Sequence, residues 1–200
     1  MEKKDGKLFH MADQAADLVL LGVIWFLTSL PVLTLGASCT ALYYAVAKSV
    51  RGERGKPVRE YVASWKRNAA QGCAASVIYL LFLAAVIVAG GKFGSVGAVV
   101  FLLVLTAGSA VYFFPVLSRF TLSVTNCFRV SVFLMIRHFP QTILLLFTLA
   151  LCTAVFLIFP FLLPVLVASY VFYSTFLLEK ILKEYRNPEK TESDEWYDRI

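Results

Sequence analysis

Eighteen of the nineteen Lys and Arg residues fall in four short segments, and long apolar runs lie between those segments in pairs. The segments are 1–17, 48–68, 118–140 and 179–200, with 3, 7, 3 and 5 basic residues. The other cation is Lys92, in the Gly-rich stretch Gly90-Gly91-Lys92-Phe93-Gly94-Ser95. Cationic loops are retained on the cytoplasmic side of a membrane. A chain patterned this way therefore crosses in helical pairs, with both termini cytoplasmic. Composition points the same way: 59% of residues are hydrophobic and 16% charged, against roughly half and a quarter in soluble domains. The formal net charge of +6 does not indicate nucleic acid, because the cations sit between apolar runs and not on one soluble basic face.

The apolar runs predict spans over about 18–35, 34–50, 72–89, 96–117, 141–159 and 164–178. The first is about 27 Å long as a helix, close to the roughly 30 Å of a hydrocarbon core. The second is short, and a re-entrant hairpin rivals a full crossing. A dip by 34–50 alone would put the basic segment 48–68 outside, so a crossing is preferred. The expected fold class is all-α: a polytopic membrane protein, a bundle of about six transmembrane helices with two interfacial amphipathic helices. Residues 1–182 form one helical domain, and 183–200 form a polar cytoplasmic tail.

Two features inside this frame suggest contact surfaces. Gly36, Ala37, Ala41 and Ala45 form a small-residue ridge, and such ridges let helix backbones approach closely in lipid. The basic segment after it carries Arg51, Arg54, Lys56, Arg59, Lys66 and Arg67. Gly52 and Gly55 break the chain there, and Pro57 suits a first helical position. Val58, Tyr61, Val62, Trp65 and Ala69 then recur at helical spacing. This predicts an amphipathic helix lying in the interface, with Trp65 at headgroup depth. A second such helix is expected within 118–140, after a break near Asn126.

The spans hold no ionisable residue in their interiors, where transporters and membrane enzymes usually keep one. Asp17 and Glu179 lie at the cytoplasmic ends. The four cysteines are dispersed, and His10 and His138 complete no zinc pattern. The sequence contains no Ser-His-Asp set and no H-E-x-x-H. The expectation is no enzyme, no cofactor and no metal.

The segments SLPVLTLGASCTALYY (29–44) and RGERGKPVREYVASWKRN (51–68), with Arg119-Phe120, resemble the YesL-like family of bacterial integral membrane proteins. Pro31, Thr34, Gly36 and Ala37 carry the most specific part. This chain departs from the family in having Gly22, not Asn, before the first-helix Trp25. The resemblance implies a bacterial cytoplasmic membrane protein of unknown biochemical function, associated with carbohydrate uptake, and it supplies no catalytic residue. The expected function is thus a non-enzymatic accessory protein contacting the lipid bilayer and a membrane transporter or cytoplasmic protein. The alternative is a small transporter or transporter subunit.

Overall fold

The computed structural model describes residues 2–52, 55–93 and 96–185, with the backbone alone for 2–11 and 91–93. Among the described residues seven α-helices run in order: α1 Glu2–Ser29, α2 Leu35–Ala45, α3 Pro57–Phe93, α4 Val96–Arg119, α5 Val124–Arg137, α6 Phe139–Ile158 and α7 Leu163–Glu184. No strand occurs among the described residues. Among the described residues five helices are long and apolar enough to cross a membrane, over Ala12–Ser29, Pro57–Gly90, Val96–Arg119, Phe139–Ile158 and Pro160–Glu184. The protein is an all-helical membrane protein.

The first expected span is shortened by its proline. Pro31 has no N–H to donate and disfavours helical geometry at Leu30, so α1 stops at Ser29 and a 3-10 turn covers Val32–Thr34. The Thr34 hydroxyl lies 2.6 Å from Thr28 O and 2.7 Å from Pro31 O, which also accepts the Thr34 N–H at 2.8 Å. Beyond the turn, α2 passes directly into a π-helix, Val46–Arg51.

A larger departure concerns α3. The expected interfacial helix and the expected third span are one continuous helix of 37 residues, about 55 Å of helix against a core of roughly 30 Å. From Asn68 to Gln71 the sequence offers no Pro or Gly to stop it. The buried residues Tyr61, Ser64, Asn68, Ala75 and Ser76 form one stripe through both halves. The first half runs antiparallel beside α2, joined by Lys48–Glu60 at one end and Gly36–Ser76 at the other. The second half packs on α4, where Tyr79 meets Phe113 edge-on at 5.6 Å. The expected boundaries put Gly36 at the outer end of one crossing and Gly72 at the inner end of the next. The Gly36 N–H donates to Ser76 Oγ at 2.7 Å, so these residues share one depth. Trp65 is half-buried and packs against the core of α1 and α2, with its indole N–H enclosed and unpartnered.

Smaller shifts follow the same packing logic. The break before α5 falls at 120–123, ahead of Asn126. Helix α3 runs through Gly90 to Phe93, where a tight turn is expected. Helix α7 continues past 178 to Glu184 because Ile181 and Leu182 still have core to bury. Of the expected polar tail, residues 186–200 lie outside the described residues.

Two apolar clusters make the core. One joins Leu21 and Trp25 of α1 to Ala41, Leu42 and Ala45 of α2, Val46 and Val50 of the π-helix, and Tyr61 of α3. The other joins Tyr43 and Ala47 to α4, α5, α6 and α7 through Phe113, Cys127, Leu145 and Leu178. The α2–π-helix segment contributes to both, and nearly all of its side chains are buried. Elsewhere the surface is apolar: Phe101 is 62%, Phe147 67% and Leu157 76% exposed. Such a surface is stable only against lipid or protein.

Candidate functional site

A cleft of about 930 Å³ opens where the ends of α4 and α7 meet the first half of α3. Its floor is set by Arg119, the last residue of α4, and Glu179 in the last part of α7. Arg119 donates through Nε at 2.9 Å, and also through Nη2, to Oε1 of Glu179. The Tyr43 hydroxyl donates to the same oxygen at 2.9 Å. The Arg119 side chain is only 2% exposed and that of Glu179 9%. Burying both charges is tolerable because each meets the other, and Glu179 gains a further hydrogen bond from Tyr43.

The wall is aromatic and cationic. The Arg119 guanidinium carbon lies 5.8 Å from the Tyr44 ring centroid, and that of Arg67 lies 4.9 Å away. Lys48 Nζ lies 5.5 Å from the same centroid and pairs with Glu60 at 2.8 Å. Each such cation–ring contact contributes roughly 0.5–2 kcal/mol, more where water is excluded. Gln71, Thr121, Ser123, Lys183 and Tyr185 complete the rim.

The expected contact residues do not gather on one surface. Arg67 joins the cleft. Arg51 turns to α7, donating to the Thr175 carbonyl at 2.5 Å and resting 4.8 Å from the Phe176 ring centroid. Its partial burial lowers the guanidinium pKa from its ordinary range, with Glu179 opposing that shift; a guanidinium remains charged in either case. Lys56, Arg59 and Lys66 are exposed, and Arg54 lies outside the described residues. Of the small residues, Gly36, Ala37, Ala41 and Ala45 are all buried. Gly36 and Ala37 meet α3 directly: a Cβ on Gly72 would stand 2.5 Å from Ala37 Cα, and one on Gly36 would stand 2.3 Å from Gly72 O.

The sequence reading passes over Tyr43, Tyr44, Arg119 and Glu179 as a group. A signal for them exists. Arg119 and Glu179 each begin a charged segment after an apolar run, and both segments are expected on the same side. Two opposite charges at one depth on neighbouring helices are candidates to pair.

With this geometry in place, comparison with known families is informative. A family model described as "Protein of unknown function, DUF624" matches residues 18–89. The match takes in the last part of α1, all of α2 and nearly all of α3, and leaves α4 to α7 outside. It therefore covers the close contact of Gly36 with Gly72 and also Arg67, but neither Arg119 nor Glu179. No curated protein and no solved structure matches the chain.

Proposed function

We propose that this is a non-enzymatic accessory protein of the bacterial cytoplasmic membrane, and that its basic cytoplasmic face engages a partner protein. In this reading both termini and the segments 48–68 and 118–140 are cytoplasmic. The observation that carries it is the distribution of charge, with 18 of 19 basic residues in four segments that alternate with pairs of apolar runs. The exposed Lys56, Arg59 and Lys66 give that side a cationic face on the first half of α3. The link to carbohydrate uptake rests on the resemblance of 29–44 and 51–68 to the YesL-like family.

A transport path would need polar groups through the bundle. The interior of this one is filled by small residues at the α2–α3 contact. The second cavity, about 300 Å³, is lined largely by apolar residues such as Phe114, Leu149 and Val167. That arrangement favours the accessory role over the transporter alternative.

A photo-crosslinking residue at Arg59 or Lys66 in native membranes tests the reading. The expected result is a discrete protein adduct that is lost when the other two cations of this face become Glu. Adducts to lipid alone would overturn it. Reporter fusions at Gly55 and at the C-terminus are expected to report the cytoplasm, and an external signal at either position would refute the orientation.

A further inference from the structure

The exposed side of the first half of α3 carries two kinds of group at once. Arg59, Val62 and Lys66 follow one another at helical spacing, with Val58 one turn before Val62, and all four are exposed. Val58 is 38% and Val62 41% exposed. Glu60 is the only acid in α3, and Lys48 holds it at 2.8 Å, so nothing within the helix compensates Arg59 and Lys66. Such a face fits an acidic segment with an aromatic side chain: carboxylates meet the cations, and a ring covers the valines. We propose that it is the docking surface for this chain's own segment 191–198, Thr-Glu-Ser-Asp-Glu-Trp-Tyr-Asp. That segment holds Glu192, Asp194, Glu195 and Asp198, no base, and the two rings of Trp196 and Tyr197. The contact needs no other protein and does not rest on the accessory reading.

The tether is what favours this occupant. The end of α7 already lies beside α3, because Leu182 and Tyr185 line the same cleft as Arg67 and Ala70. Tyr185 is the last described residue, and Glu192 follows it by seven positions. Seven residues span at most about 23–25 Å, whereas Arg67 and Arg59 are only about 12 Å apart along the helix. Segment 191–198 therefore reaches the whole face without any movement of α7. Exposed ion pairs are each weak, but a short tether gives an effective concentration on the order of mM. A contact with a Kd of that order is then half occupied, so three or four weak pairs and one covered ring suffice.

The same cations are assigned above to a partner protein, so the test uses the purified full chain with no partner present, one copy per phosphatidylcholine nanodisc. A failure here leaves the accessory reading intact. Tyr197 is replaced by benzoylphenylalanine, which keeps an aromatic ring, and photo-adducts are mapped by mass spectrometry. The expected adduct is intramolecular and falls within residues 58–70. Arg59→Glu with Lys66→Glu should cut its yield at least about fivefold, since attraction becomes repulsion at two positions. Glu192→Gln, Asp194→Asn and Glu195→Gln together should act in the same direction, and they leave α1 to α7 unaltered in sequence. Joining Arg59→Glu and Lys66→Glu to Glu192→Lys and Glu195→Lys should restore the yield to within about twofold of the parent. Raising salt from about 0.15 M to about 1 M shortens the screening length from about 8 Å to about 3 Å and should lower the yield. Thermal unfolding of each variant checks that the bundle is intact. Adducts only to lipid or to other segments overturn the proposal. So does a yield that the charge variants leave unchanged, and so does an adduct that forms only when a disc holds two copies.

Discussion

Replacing Gly72 with Ala tests the contact that holds α2 to α3. In an ordinary helix this change stabilises, because Gly costs about 1 kcal/mol relative to Ala. Here the new methyl would stand 2.5 Å from both the N and Cα of Ala37, and 3.0 Å from its Cβ. Ordinary carbon contacts lie near 3.5–4.0 Å, so the helices must separate by about 1 Å. The atoms in the way are backbone and cannot rotate aside. Separation also stretches the bond from Gly36 N to Ser76 Oγ, now 2.7 Å. Overpacking of this kind costs about 1–3 kcal/mol, and a weakened buried hydrogen bond adds about 1 kcal/mol. Set against the propensity gain, the net expectation is a loss of about 1–3 kcal/mol. Gly97→Ala is the internal control, because a Cβ there meets nothing within 4 Å. It should leave stability unchanged or raise it. Both are read by intrinsic-fluorescence melting of detergent-purified protein. If Gly72→Ala melts at or above the parent, α2 and α3 are not in backbone contact and the packing described here is wrong.

Ala41 is fully buried between α1 and α3, so Ala41→Leu should cost about 1–3 kcal/mol by overpacking; an unchanged melting temperature would refute that placement. For the buried pair, Glu179→Gln and Arg119→Met should each destabilise by about 3–5 kcal/mol, since each leaves its partner charged and enclosed. The double variant should recover much of that loss, and strict additivity in the cycle would show that the two residues do not interact.

The membrane class can be read from residue types, because charge in hydrocarbon is costly whatever the packing. The end of α1 can be read too, from Pro31 and Thr34. The continuity of α3 is harder to see. Its polarity changes sharply near Ala70, and a change of polarity looks like a change of element, but the backbone ends only where caps or breakers intervene. Gly72 resembles such a breaker and is instead a contact point. The packing of Trp65 is equally hidden, because an aromatic beside Lys66 and Arg67 gives no sign in sequence that α1 and α2 lie against it. The Arg119–Glu179 pair joins residues 60 apart in sequence. Each is visible singly as the start of a charged segment, and only the folded bundle shows that they face each other.

The enclosure of α2 has a consequence for how the protein responds to its bilayer. A helix that touches lipid must match the thickness of the hydrocarbon, and it tilts or distorts its surroundings when it does not. From Gly36 to Ala47 every residue except Cys39 is buried by protein, so thickness has almost nothing to act on there. The depth of α2 is set by its packing on α1, α3, α4 and α7, and not by its own hydrophobicity. Lipids of shorter or longer chain should therefore strain the outlying α6, which buries only Thr142 and Leu145, while the α2–α3 contact keeps its geometry.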